Sequence, residues 1–191
     1  MKVALLVEGP SDERTLKILS KKIMGEQTGI ETRILRGRGN LLNERKVYSH
    51  IVNIIQNHPD VSKIIICIDS ECTPKDETER EMKDVENSLR AKIQQNYTIY
   101  YIGVIHALEG WLLTDRDNLR KYLGPRARGK ILPSAALNCK PKEFMKNIFK
   151  RNGKNFLPTL HNPRIAEQID IDKTAKNNES FKFFRDKVKD P

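Results

Sequence analysis

The sequence predicts an α/β fold: a parallel sheet flanked by helices, with a basic, mainly helical C-terminal extension. Three observations support this. Short apolar runs alternate with helical stripes in the order β-α-β-α-β-α-β, the pattern of a parallel sheet with crossover helices. The run Lys63-Ile64-Ile65-Ile66-Cys67-Ile68-Asp69-Ser70-Glu71 is β-branched, continuously apolar and too short for an ordinary helix, as expected of a strand covered on both faces. Charge also divides the chain. Residues 1–118 hold 17 Lys+Arg against 18 Asp+Glu and residues 119–191 hold 18 against 7, so the formal net charge of +10 is C-terminal in origin. The expected organisation is an α/β core over 1–118 and a basic extension over 119–191 that packs on it, since the extension has too few apolar residues for a core of its own.

Lys2 to Val7 reads as the first strand, stopped by Glu8-Gly9-Pro10; Ser11 is then expected to cap a helix with Asp12 and Glu13 in its first turn. Leu16, Leu19, Ile23 and Met24 give that helix its apolar stripe. A second strand is expected over Glu31–Arg36, ending in the basic turn Gly37-Arg38-Gly39-Asn40, and a second helix with Val47, Ile51, Ile54 and Ile55 inward closes near His58-Pro59. The run that ends in Asp69 and Glu71 is the third strand. After Pro74 a charged helix runs to about Gln95 on the stripe Met82, Val85, Leu89 and Ile93, and Tyr97–Ile105 is the fourth strand. Beyond Leu119 come a basic, turn-rich loop, Gly124–Lys130, and a stretch punctuated by Pro133, Pro141, Pro158 and Pro163. Short helices are expected at Lys142–Lys150, at Arg164–Ile169 and around Phe181, Phe183 and Phe184.

With 31% charged residues and no run near the roughly 18 apolar residues of a membrane span, the chain is expected to be cytoplasmic and free of membrane contact. The three cysteines, Cys67, Cys72 and Cys139, form an odd set with no C-x-x-C pair, so neither a disulfide framework nor a zinc ribbon is expected.

Ligands in open α/β sheets sit at the carboxyl ends of the strands. Three such ends supply acids here: Glu8 after the first strand, Asp69 and Glu71 after the third, and Glu109 and Asp115 just past the fourth. Adjacent strands lie about 4.8 Å apart, and two like charges ~4 Å apart repel by about 4 kcal/mol at an effective dielectric near 20. Hard oxygen ligands converging in this way suit a magnesium or manganese site. Each acid also has a structural reading. Asp12 and Glu13 favour a helix N-terminus, Glu71 is a solvated loop residue, and Asp115 caps a helix. Trp111 and Leu112 are expected to pack the helix after strand four, and His106 to lie in the core or behind the ligands.

The motif Val7-Glu8-Gly9-Pro10-Ser11-Asp12, followed by Ile68-Asp69-Ser70-Glu71, resembles the Toprim signature: a glutamate ending the first strand, then an acid pair ending the third. Toprim domains occur in topoisomerases, bacterial primases, small ribosomal-RNA maturation nucleases and OLD-family nucleases. The Glu-Gly-x-x-Asp form and Ala107-Leu108-Glu109-Gly110-Trp111-Leu112-Leu113-Thr114-Asp115 are most similar to the OLD branch and to small stand-alone Toprim proteins, where a pair like Ser180-Phe181 is common near the end. The resemblance implies a Toprim-like, Rossmann-like sheet. It further implies that Glu8 is a general acid/base or metal ligand, that Asp69 and Glu71 hold Mg²⁺ (or Mn²⁺), and that Asp12 and Glu109 help hold a second ion. The sequence departs at Glu71, where the family usually has Asp.

The implied activity is metal-dependent hydrolysis of DNA or RNA phosphodiesters, as a nuclease or nickase. Two alternatives remain open: a non-catalytic nucleic-acid-binding protein and a phosphoesterase acting on small nucleotides. Topoisomerase chemistry is disfavoured because Tyr97, Tyr100 and Tyr101 lie in or beside a strand, and primase chemistry because the chain is too short for the added modules. OLD nucleases join a Toprim to an ATPase and this chain has no P-loop, so a separate ATPase is the expected partner. Candidate nucleic-acid contacts are Arg36, Arg38, Arg126, Arg128, Lys130, Lys142 and Lys154. Few aromatics are interleaved among them, which favours backbone contact over base stacking. Lys142 and Lys154 are the two lysines weighed for stabilising transition-state charge.

Overall fold

The computed structural model describes residues 2–93, 96–127, 131 and 139–190. Its centre is a four-stranded, fully parallel sheet in the order β2-β1-β3-β4, made of β1 (Lys2–Val7), β2 (Gly29–Ile34), β3 (Val61–Asp69) and β4 (Thr98–Val104). Helices cover both faces, so the fold is Rossmann-like. β3 is central, which is why residues 64–68 are apolar whichever way they point. Ile65 and Cys67 enter one cluster, and Ile64, Ile66 and Ile68 enter the other.

The two faces are closed by different parts of the chain. On one side α3 (Glu44–Asn57) and α4 (Lys75–Lys92) cover Ala4, Leu6, Ile64, Ile66 and Tyr101. On the other, α1 (Pro10–Met24) packs with the C-terminal helices over Val3, Leu5, Val7, Ile65 and Ile102. Those helices are α5 (Leu108–Thr114), α6 (Arg116–Leu123), α7 (Pro141–Arg151), α8 (Pro158–Gln168), α9 (Ile171–Asn177) and α10 (Glu179–Lys189). Met145, Phe149, Phe181, Phe184 and Val188 share one buried cluster with β1 and β3, so residues on both sides of position 118 form a single core. Trp111 is fully buried in it, its ring against Phe181 and Phe184 and its indole N–H donated to Ser180 Oγ at 2.8 Å. This matches the packing role expected for it.

Four details depart from the sequence reading. The turn at Gly37–Asn40 contains a single helical turn, α2 (Arg38–Leu41), and β2 begins and ends two residues early because the chain leaves the sheet at Arg36, whose φ is +55°. Ser11 does not cap α1. The helix begins at Pro10, extended Gly9 is its cap residue, and Asp12 accepts the Gly9 N–H at 3.1 Å. Proline suits this first position, where the amide has no intrahelical partner. Pro163 lies inside α8 rather than ending it.

The fourth departure is covalent. Cys72 and Cys139 form a disulfide, their Cα atoms 5.2 Å apart across 67 positions of sequence, while Cys67 stays a buried thiol that its surroundings hold protonated. An odd cysteine count conceals such a pair when the third member is a core residue. Among the described residues no helix is long and apolar enough to cross a membrane.

Candidate metal centre

The acids gather where the strands end because the sheet order puts β1 beside β3, and β3 beside β4. Backbone hydrogen bonds continue past the strands and hold the loops in place. Gly37 N–H reaches Glu8 O at 3.3 Å, Ser70 N–H reaches Val104 O at 2.9 Å, and Glu71 N–H reaches His106 O at 2.7 Å. Glu71 and His106 both take positive φ, 51° and 62°. Such backbone is uncommon outside glycine and is kept only where its surroundings fix it. His106 helps: its backbone N–H meets Ser70 Oγ at 2.8 Å and its ring Nδ1 lies 2.7 Å from Glu71 O. It therefore supports the loop that carries Glu71.

Glu8 projects from the end of β1, and its Oε1 accepts the Asp69 N–H at 3.2 Å. Burial raises its pKa and the Glu71 charge adds to this; the Asp69 hydrogen bond, Arg38 and Lys142 oppose the rise. Asp12, one turn into α1, is pushed up to about 6, first by burial and then by the charges of Glu109 and Glu8. Asp69 is raised well above the ordinary carboxylate range, again by burial first and then by Asp12, Glu8 and Glu109. Glu109, at the start of α5, is buried, and its Oε1 accepts from Asn162 Nδ2 at 2.9 Å. The five acids singled out in the sequence thus form one electrostatically coupled group: Glu71 acts on Glu8, and Glu109 on Asp12 and Asp69.

Lys142 in the first turn of α7 lowers the pKa of Glu8, Asp12 and Asp69, so the fold brings this cation within electrostatic reach of all three. Arg38 lowers Glu8 and is ion-paired with Glu81. Lys154 is committed elsewhere, donating to Leu123 O at the end of α6 at 3.0 Å. Arg36 and Arg126 are exposed, in the turn after β2 and in the turn after α6, while Arg128 and Lys130 lie outside the described residues. Asp115 takes the structural role weighed for it. Buried, it caps α6 through Asn118 N–H and binds Asp170 N–H and Lys173. Asn162 is the residue that sequence reading missed, since an Asn before Pro reads only as a turn.

The donor chemistry fits a hard divalent cation: every acid offers oxygen, and mutual repulsion with burial raises three of their pKa values, a strain that positive charge would relieve. As they stand, no three His, Cys, Asp or Glu side chains among the described residues are close enough together to hold an ion. A groove of about 740 Å³ between α4 and α10 touches this region only through Ser70 and His106, and its lining is mainly apolar.

A Rossmann-like α/β protein with a carboxylate cluster at the sheet edge is the class that fold and site define. The chain belongs to the family described as a domain of unknown function (DUF4276), whose model matches residues 7–189. No curated protein and no solved structure gives a significant match.

Proposed function

We propose that the chain is a Mg²⁺- or Mn²⁺-dependent phosphodiester hydrolase acting on DNA or RNA, a nuclease or nickase of Toprim type. The observation that carries this reading is the coupled set of acids at three adjacent strand ends, opposed by Lys142 from the basic half of the chain. Glu8, Asp69 and Glu71 are the ligands assigned to one ion, with Asp12 and Glu109 serving a second. Bound there, a divalent ion lowers the pKa of water and neutralises charge on the phosphate. Glu8, whose pKa is raised by burial, is assigned as the group that takes the proton of the attacking water. Lys142 binds a non-bridging phosphate oxygen through its ammonium. The basic surface of the C-terminal half holds the polymer by its backbone, so binding weakens steeply with salt.

A cytoplasmic location and a separate ATPase partner belong to the same reading, and a native pull-down that recovers no ATPase removes the second. The decisive test is cleavage of DNA and RNA with Mg²⁺ or Mn²⁺ by the parent chain and by Glu8→Gln and Asp69→Asn. Loss of cleavage in variants that still fold and bind nucleic acid is expected. Unchanged activity in both variants overturns the proposal. A non-catalytic nucleic-acid-binding role is favoured by one observation, that the acids do not close around a single point as they stand; it predicts salt-sensitive binding without cleavage.

A further inference from the structure

Asn162 is a polar side chain in an apolar setting. It lies in α8, which packs along α1, with no exposed surface and with buried Pro163, Ile165 and Ala166 following it. Its Nδ2 donates twice, to Ser11 Oγ at 3.0 Å and to Glu109 Oε1 at 2.9 Å. A carboxylate only accepts, so the bond to Glu109 sets the orientation of the amide. The consequence is visible on the other atom: Asn162 Oδ1 is buried with no hydrogen-bond partner. Buried polar atoms in native folds are nearly always paired, and an orphan calls for an explanation beyond packing. An apolar residue would fill the same space between α1 and α8 without that cost.

The two partners explain the choice. Ser11 precedes Asp12 in the first turn of α1, and Glu109 opens α5, so one amide joins the segments carrying two of the five coupled acids. Those acids repel each other: the Glu109 charge is the largest electrostatic contribution raising Asp12. Asp12 is already held by the Gly9 N–H, so it is the Glu109 carboxylate that would rotate away without a tether.

We propose that Asn162 is a positioning residue. Its amide, anchored on Ser11 of α1, fixes the Glu109 carboxylate against repulsion, so Glu109 is held among the acids only when α8 of the C-terminal half is seated. The inference rests on the metal-hydrolase reading above, and it concerns residues of this chain rather than the chemistry of the ion.

The test is Mn²⁺ binding by titration calorimetry on the full chain, comparing the parent, Asn162→Ala, Glu109→Gln and the double variant, with folding checked by circular dichroism and thermal melting. Removing a group that orients a ligand typically costs about 10- to 100-fold in metal affinity, so Asn162→Ala is expected to bind Mn²⁺ at least about 10-fold more weakly. The double variant is expected to bind no more weakly than Glu109→Gln alone, because Asn162 acts through Glu109; a merely structural role would lower both backgrounds equally. An Asn162→Ala affinity within about twofold of the parent, or an equal loss in the Glu109→Gln background, overturns the proposal. If Asn162→Ala does not fold, Asn162→Ser, whose hydroxyl is too short to span both partners, is measured in its place against the same limits. Affinities decide the role of Asn162 whether or not the parent cleaves nucleic acid, so a failed nuclease assay and a failed Asn162 test are separate results. A parent chain that binds no Mn²⁺ overturns both proposals.

Discussion

Asp12→Asn is expected to make the protein more stable at neutral pH. The carboxyl is displaced from its ordinary 3.8 to about 6, first by burial and then by Glu109 and Glu8. Each factor of ten in proton affinity is worth about 1.4 kcal/mol, so keeping this group ionised at pH 7 costs the fold roughly 3 kcal/mol, an upper figure because the surroundings relax. The sign follows from linkage. Between the two values the folded chain holds a proton that the unfolded chain has lost, so stability falls as pH rises from about 4 to about 6 and stays reduced above that. Asparagine is neutral throughout and its Oδ1 can still accept the Gly9 N–H, so the cap survives while burial and repulsion are relieved. Urea denaturation of both proteins, with chelator present, at pH 7 and pH 4 measures the effect. The variant should be more stable by about 1–3 kcal/mol at pH 7 and close to parity at pH 4, where Asp12 is protonated in the fold. A gain of equal size at both pH values, or a loss at pH 7, would refute the electrostatic account of the cluster.

Two further substitutions and one redox measurement probe other parts of the structure. Lys142→Ala should reduce cleavage by about 100-fold, the order seen when a donor to developing charge is removed, whereas Lys154→Ala should leave cleavage intact and cost about 0.5–1 kcal/mol at the α6 C-terminus. Equal effects of the two on steady-state cleavage would break the distinction between them. Reducing the Cys72–Cys139 bond, which spans 67 positions, should cost up to about 4 kcal/mol in a chain-entropy account. Thiol titration of the unreduced, unfolded chain should find the Cys67 thiol alone, and three reactive thiols would show the bond to be absent. Disulfides are rare in the cytosol, so the same titration on protein trapped in cells also tests the proposed cytoplasmic location.

Much of the fold was legible because its signals are periodic. The short, β-branched apolar run of β3 reads as a strand covered on both faces, and the stripes of α1, α3 and α4 follow helical spacing. The acids were legible for a different reason: strand ends are readable, and parallel strands align their ends. What could not be read was whatever depends on distant segments meeting. Nothing near Cys72 points to Cys139, and nothing in His161-Asn162-Pro163 points to Glu109. Lys142 and Lys154 look alike as members of one basic stretch. They differ only once α7 has turned the first toward the carboxylates and Leu123 O has engaged the second. Pro163 misled because a helix opening at Pro158 can lose one amide bond and continue where its neighbours are buried.

These long-range ties bear on how the chain is divided. A boundary at residue 118 is natural by charge, since the N-terminal part is nearly neutral and the remainder strongly basic. It is not natural for the site. Cys139 is bonded to the residue after Glu71, Lys142 offsets the charge of Glu8, Asp12 and Asp69, and Asn162 holds Glu109. Between them the ties reach the whole group. An α/β core cut at 118 would keep all five carboxylates while losing the disulfide, the lysine and the amide that restrain them, and it would expose the apolar face that Met145, Phe149, Phe181 and Phe184 cover. The basic half therefore supplies part of the wall that holds the acids together, and under the proposed function it is also the surface that would meet phosphate.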